Sequence, residues 1–139
     1  GPEPLEITFD EFRRRLKARR TRIKALLLDQ GFLSGVGNIY ADESLHRAGI
    51  HPCAIAARIG PDRARRLYKA IRLVLTEAIL SGGSSVSDYV DAEGRKGWFQ
   101  IRHRVYQRHG EKCRRCGAII RRILIAQRGT HYCPKCQKR

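Results

Sequence analysis

A chain of 139 residues with 42% apolar content has room for about one domain's core. Its longest aliphatic runs, such as 25–28 and 123–126, fall far short of the roughly 20 apolar residues that a membrane-spanning helix needs. Twenty-nine Lys and Arg against 13 Asp and Glu leave a net charge of +16, and a surface of that sign seeks polyanions.

In chain order, Gly1, Pro2, Glu3 and Pro4 show neither a basic nor an apolar leader pattern, so no secretory signal is expected. With no Met anywhere, either an initiator was removed or the sequence belongs to something longer. Thr8 to Glu11 reads as a capping box, with reciprocal bonds from the Thr8 hydroxyl and the Glu11 carboxylate opening a helix whose face carries Phe9, Phe12 and Leu16. A second helix holds Ile23, Leu26 and Leu27 at helical spacing and fades near Gly31. Residues 31–37 are too rich in glycine for a helix interior. Asn38 then suits the cap of a third helix running to about Ala48, with Gly49 as its stop. The fourth helix is the clearest. Pro61 opens it, Ala64, Leu67, Tyr68, Ile71, Val74, Leu75, Ala78 and Ile79 form a core-facing stripe, and Gly82 ends it.

From 82 to 97 the composition turns to Gly, Ser, Asp and Lys, which predicts a long loop of the kind that is functional or disordered. Trp98, Phe99, Ile101, Val105 and Tyr106 suggest an extended segment beyond it, and Ile119, Ile120, Ile123 and Leu124 a strand of a β-hairpin. The charge is concentrated at this end: residues 101–139 hold twelve bases and one acid, Glu111. Such a tail points to nucleic acid ahead of an anionic membrane, since no amphipathic helix with an aromatic insertion face accompanies it.

Four of the five cysteines form Cys113-x-x-Cys116 and Cys133-x-x-Cys136, sixteen residues apart, the spacing of a structural four-cysteine zinc site. Two residues between thiolates let one tight turn present both sulfurs to a tetrahedral ion. A pair of disulfides or a redox dithiol is the competing arrangement, without a secretory signal or a thioredoxin-like strand pattern to favour it. One structural Zn(II) also answers a size problem, because some 30 residues bury too little surface to fold unaided. Cys53 is left over and is expected to be a buried thiol acting as a small apolar residue.

The Gly35, Gly37, Asn38 junction admits two readings. Glycines allow close approach of another group, and the free N–H groups opening the third helix make an anion site suited to a phosphate. The plainer reading is an interhelical turn with Asn38 as cap.

Taken together, Leu26-Leu27-Leu28-Asp29-Gln30, Gly35-Val36-Gly37-Asn38-Ile39-Tyr40-Ala41-Asp42-Glu43 and Ala48-Gly49-Ile50-His51-Pro52 closely resemble formamidopyrimidine-DNA glycosylases. The same order continues through Gly82-Gly83-Ser84-Ser85, Asp88-Tyr89-Val90, Gly97-Trp98-Phe99-Gln100 and Arg128-Gly129-Thr130-His131-Tyr132-Cys133-Pro134-Lys135-Cys136-Gln137. The resemblance implies a mainly α fold: a helix-two-turn-helix domain over 1–97, then a linker strand and a small β-hairpin four-cysteine zinc finger over 98–139. It implies the DNA-gripping part of a base-excision-repair glycosylase and abasic-site lyase that removes oxidised purines, 8-oxoguanine and formamidopyrimidines, from duplex DNA. Asn38, Gly35, Gly37 and Arg128 would then bind DNA phosphates. Ser84, Ser85, Asp88 and Tyr89 would belong to the loop that closes over the extruded base.

His131 matches a finger residue, and its plainer role is packing or hydrogen bonding beside an all-thiolate site. In such glycosylases an N-terminal proline amine attacks the sugar. Pro2 here follows Gly1 and its nitrogen is an amide, so no catalytic residue is expected in this chain, which should bind damaged duplex DNA without cutting it. No small-molecule cofactor and no membrane partner are expected, and a monomer in the bacterial cytoplasm, associated with the nucleoid, is. The alternative is a free-standing, non-enzymatic nucleic-acid module that reuses both motifs.

Overall fold

The computed structural model describes residues 1–81 and 102–139. Helices α1 (Phe9–Lys17), α2 (Ile23–Leu28), α3 (Asn38–Ala48) and α4 (Pro61–Leu80) are followed by the antiparallel hairpin β1 (Arg121–Ile125) and β2 (Arg128–Tyr132). A short 3₁₀ turn, Ala56–Arg58, connects the α3 region to α4. The expectations for Gly82, for Trp98, Phe99 and Ile101, and for the loop residues Ser84, Ser85, Asp88 and Tyr89 lie outside the described residues.

The helices share one core. Phe12 and Leu16 of α1, Ile23, Leu26 and Leu27 of α2, Ala41 and Leu45 of α3 and Ala64, Leu67 and Ile71 of α4 are all buried. Phe12 meets the rings of Phe32 and Tyr68 at 6.1 and 5.6 Å. The Tyr68 hydroxyl donates to the Ile7 carbonyl (2.6 Å), and Arg72 donates to the carbonyls of Pro4 and Leu5, so the N-terminal segment is strapped along α4. Ile79 departs from the expected stripe and is 66% exposed. It lies one position, about 100°, round the helix from buried Ala78, on a flank that no described element covers.

Half of the capping box forms. Thr8 Oγ1 accepts from the Glu11 N–H at 3.2 Å, but the Glu11 carboxylate turns instead to Arg14 and Arg15. At α3 the cap is Gly37, in extended backbone, and not Asn38. As the first helical residue, Asn38 directs its side chain away from its own helix. Gly49 ends α3 as expected, at φ +71 and ψ +27, the left-handed conformation that glycine adopts at least cost.

Residues 102–108 form bends and turns and not the extended segment that the aromatic pattern suggested. The reason is buried Glu43 of α3, whose carboxylate accepts three consecutive backbone N–H groups, from Arg104, Val105 and Tyr106, at 2.7 to 2.9 Å. A chain wrapped around one carboxylate cannot also offer those donors to a neighbouring strand. In the hairpin, Arg121 pairs with Tyr132 and Ile125 with Arg128. Ile119 and Ile120 precede β1, and Leu124 is 65% exposed.

Candidate nucleic-acid interface and metal centre

The four-cysteine centre forms at the base of the hairpin. All four Sγ atoms lie within 4.8 Å of one another, with Cys116 and Cys133 at 3.3 Å and Cys113 and Cys136 at 3.8 Å. A tetrahedral ion with Zn–S bonds of about 2.3 Å requires sulfurs about 3.8 Å apart, so the cluster fits zinc. The thiols also favour a cation among them. A hydrogen bond involving the Ala118 backbone lowers Cys116 to about 7, while burial and neighbouring sulfurs raise Cys136 far above the ordinary thiol value. Sulfurs this close resist full ionisation unless a metal balances the charge. These residues form the site of one structural zinc ion. Cys53 stands apart from it and is half-buried, more exposed than expected.

A second cluster joins the helices to the finger. Lys24 of α2 is wholly buried, and its Nζ donates to Asp42 Oδ1 at 2.5 Å and to Thr130 Oγ1 at 3.0 Å. The other carboxylate oxygen of Asp42 accepts from the backbone N–H and from Nδ1 of His131 at 3.0 and 2.9 Å. His131 is therefore a buried hydrogen-bonding residue, as its plainer reading had it. Desolvation lowers the Lys24 pKa, Asp42 pulls it back up, and nearby Arg128 lowers it again. No signal along the sequence marks Lys24 or Asp42 as partners across 18 positions, or Thr130 as the third member; only the packing of α2, α3 and β2 brings them together.

Asn38 is the hinge between this cluster and solvent. Its Nδ2 donates to the Gly129 carbonyl at 3.0 Å, and its Oδ1 is buried without a partner among the described residues. The Lys24 ammonium reaches the same carbonyl at 3.4 Å. One residue away, Arg128 is exposed at the hairpin tip. The tip itself is a two-residue turn in which Ala126 and Gln127 take φ of +51 and +62. Such a turn matches strand twist, yet side-chain-bearing residues adopt it at a cost of roughly 1–2 kcal/mol each. Gly35 lies on the approach to α3 at φ +79 with no described residue within 4 Å of where a Cβ would stand, and at Gly37 the Tyr40 ring is, among the described residues, the one neighbour as near as 4.0 Å. Among the described residues the start of α3 is thus open, uncapped by any side chain, and beside an exposed arginine.

The opposite end of α3 meets the knuckles. His46 Nε2 lies 3.7 Å from Cys113 Sγ, and burial followed by surrounding arginines pushes its pKa down to about 4. Gln137 accepts from the Cys133 N–H and donates to the Ile50 carbonyl, and backbone bonds join Lys138 to Gly49 and His51.

Comparison with known proteins agrees with this architecture. Residues 1–90 match the family described as the formamidopyrimidine-DNA glycosylase H2TH domain, and residues 110–139 match a zinc finger found in FPG and IleRS. A formamidopyrimidine-DNA glycosylase of Solibacter usitatus is 65% identical over the whole chain, which covers 53% of that relative. The crystal structure of MutM (Fpg) from Thermus thermophilus superposes with a TM-score of 0.87 at 50% identity, over 99% of this chain and 53% of that one. Lactococcus lactis Fpg in complex with an abasic-site-containing DNA gives 0.89 at 42% identity, over 100% and 52%. The chain spans about half the length of the curated relatives it matches.

Proposed function

The chain belongs to the formamidopyrimidine-DNA glycosylase family, and from that premise we propose that its 139 residues are the DNA-gripping half of a bifunctional glycosylase and abasic-site lyase. The substrate is duplex DNA carrying oxidised purines, 8-oxoguanine and formamidopyrimidines. The chemistry resides in the part of the relatives' length that this chain does not match, and the chain alone binds without excising. It acts as a monomer in the bacterial cytoplasm, at the nucleoid, with no small-molecule cofactor.

The observation that carries the reading is the meeting of Asn38 with the hairpin at Gly129, beside Arg128. One N–H of the Asn38 amide is engaged there and the other remains to donate. The unpartnered N–H groups that open α3 point the same way as the helix dipole, and the Arg128 guanidinium adds a charge-assisted fork. A phosphate between Gly35, Gly37 and Asn38 and another at Arg128 hold a bent duplex, and those contacts offset the few kcal/mol of unstacking one damaged base. Ser84, Ser85, Asp88 and Tyr89 take the role of the loop over that base on the strength of the family resemblance.

Asn38→Ala and Arg128→Ala should each weaken duplex binding by a similar factor on every sequence, and loss of Arg128 should reduce the slope of log K against log salt by about one. Anisotropy titrations across salt concentrations measure both, and loss confined to particular sequences would overturn the phosphate roles. Borohydride treatment with an 8-oxoguanine duplex should trap no adduct on this chain.

A further inference from the structure

Two open concavities meet at the C-terminal end of α3, beside the zinc knuckles. The first, about 550 Å³, lies between α3, α4 and the first knuckle, with Arg104, Arg114 and Arg115 among its walls. The second, about 590 Å³, shares Arg47 and Arg115 with it and adds Arg66, Lys135 and Lys138. Among the described residues, nine arginines and lysines line the pair against one acid, Glu77. That acid is matched to Arg47, which holds both of its oxygens at 3.2 and 2.9 Å, and it leaves the other eight bases uncancelled. Like charge crowds here: after desolvation, Arg108 and Arg102 push the Arg114 pKa down against the opposing pull of Glu111 and Glu43, and Arg66 adds to the lowering of Arg63. Beneath the surface, Nδ1 of His46 and Nε of Arg47 are buried without hydrogen-bond partners among the described residues.

This surface is well separated from Asn38 and Arg128. Asn38 and Arg47 are nine positions apart on α3, about 13 Å of helix, and the hairpin runs a similar distance from its tip to the cysteines at its base. Several of its guanidinium groups are already fixed. Arg63 donates to the carbonyls of Lys138 and Arg139, and Arg114 to that of His103. Fixed planar forks suit phosphate oxygens better than mobile ammonium groups do. Two adjoining grooves that share two arginines fit a succession of phosphates, where a single compact anion would need one enclosed cage.

We propose that this paired concavity is a second binding site for the phosphodiester backbone of nucleic acid, independent of Asn38 and Arg128. It rests on the reading of the chain as a DNA-binding half, and extends its grip to the far end of α3. Every contact is ionic and indifferent to sequence, so each phosphate held adds about 0.9 to the salt slope on duplex DNA.

The zinc-loaded chain and an undamaged 24-base-pair duplex test this by anisotropy across salt concentrations. The tip variant, Asn38→Ala with Arg128→Ala, should keep a salt-dependent affinity. Adding Arg66→Gln, Arg104→Gln and Lys138→Gln, three exposed side chains, should lower that affinity at least tenfold and the slope by two to three. Arg66→Lys, Arg104→Lys and Lys138→Arg keep the charge and should keep the slope, with zinc content measured throughout to show that the finger is intact. If the three Gln changes leave the tip variant's affinity and slope unchanged, the second site is wrong. If instead the tip variant binds like the unmodified chain, the roles of Asn38 and Arg128 fall while the three Gln changes still test the far end of α3. Competition by polyglutamate as effective as that of an oligonucleotide of equal charge would assign the surface to an acidic protein and overturn the proposal.

Discussion

The helical part and the finger solve the same stability problem by opposite means. Among the described residues, the helices and the segments that connect them bury twenty residues in one contiguous cluster, enough apolar surface to hold α1 to α4 together by the hydrophobic effect. Among the described residues, the finger's own cluster has Val105, Ile120 and two of the metal-binding cysteines, Cys113 and Cys133, at its centre. What the finger lacks in core it replaces with a metal and with buried polar ties to α2 and α3. The lesson is that the hairpin is held by strong, specific, breakable links, whereas the scaffold behind it rests on diffuse packing.

Removing zinc should separate the two regions most completely. Metal binding in such sites is worth about 10 kcal/mol or more of folding free energy, so chelation should unfold the finger while helical circular dichroism persists. A single cooperative loss of both signals would show that the helices depend on the finger. Next in size is Asp42→Asn, which leaves Lys24 buried opposite a neutral amide. An uncompensated buried charge typically costs about 3–5 kcal/mol, and it should appear as a lower denaturation midpoint together with faster amide exchange in β2. Exchange confined to α2 would deny Asp42 its role as the tie.

Glu43→Gln should cost somewhat less, about 2–3 kcal/mol, since an amide oxygen still accepts some of the three N–H bonds that the carboxylate accepted. Nuclear magnetic resonance of the Arg104, Val105 and Tyr106 amides reads this directly, and unchanged shifts would exclude the bonding described. Smallest, and opposite in sign, is Gln127→Gly. Relieving one positive-φ side chain should stabilise the hairpin by about 0.4–1 kcal/mol, visible as a small rise in finger stability with the helices unaffected.

Much of this molecule is legible before folding is considered. The 3.6-residue spacing of Leu67, Ile71, Val74 and Ala78 predicts α4, and Gly49 its neighbour's end. The paired C-x-x-C motifs announce a metal site because thiolate geometry is local. The errors are those of side-chain direction. Asn38 reads as a cap because Asn commonly caps, yet Gly37 takes that position and frees Asn38 to reach a carbonyl 91 positions away. The segment around Val105 reads as a strand because of its aromatic and β-branched residues, and curls because Glu43 claims its donors. Glu11 leaves its capping role for two arginines on the next turn.

Local chemistry thus settled which segments are helices, where the zinc binds and that the chain is strongly basic, since periodicity, ligand spacing and net charge are read along the chain. Which of the 29 bases stand together, that Lys24 and Asp42 lock α2 and α3 to β2, and that Asn38 shares an edge with Arg128 were decided by the fold. Those contacts join residues tens of positions apart, and burial in a low-dielectric interior is what makes each polar tie specific enough to hold.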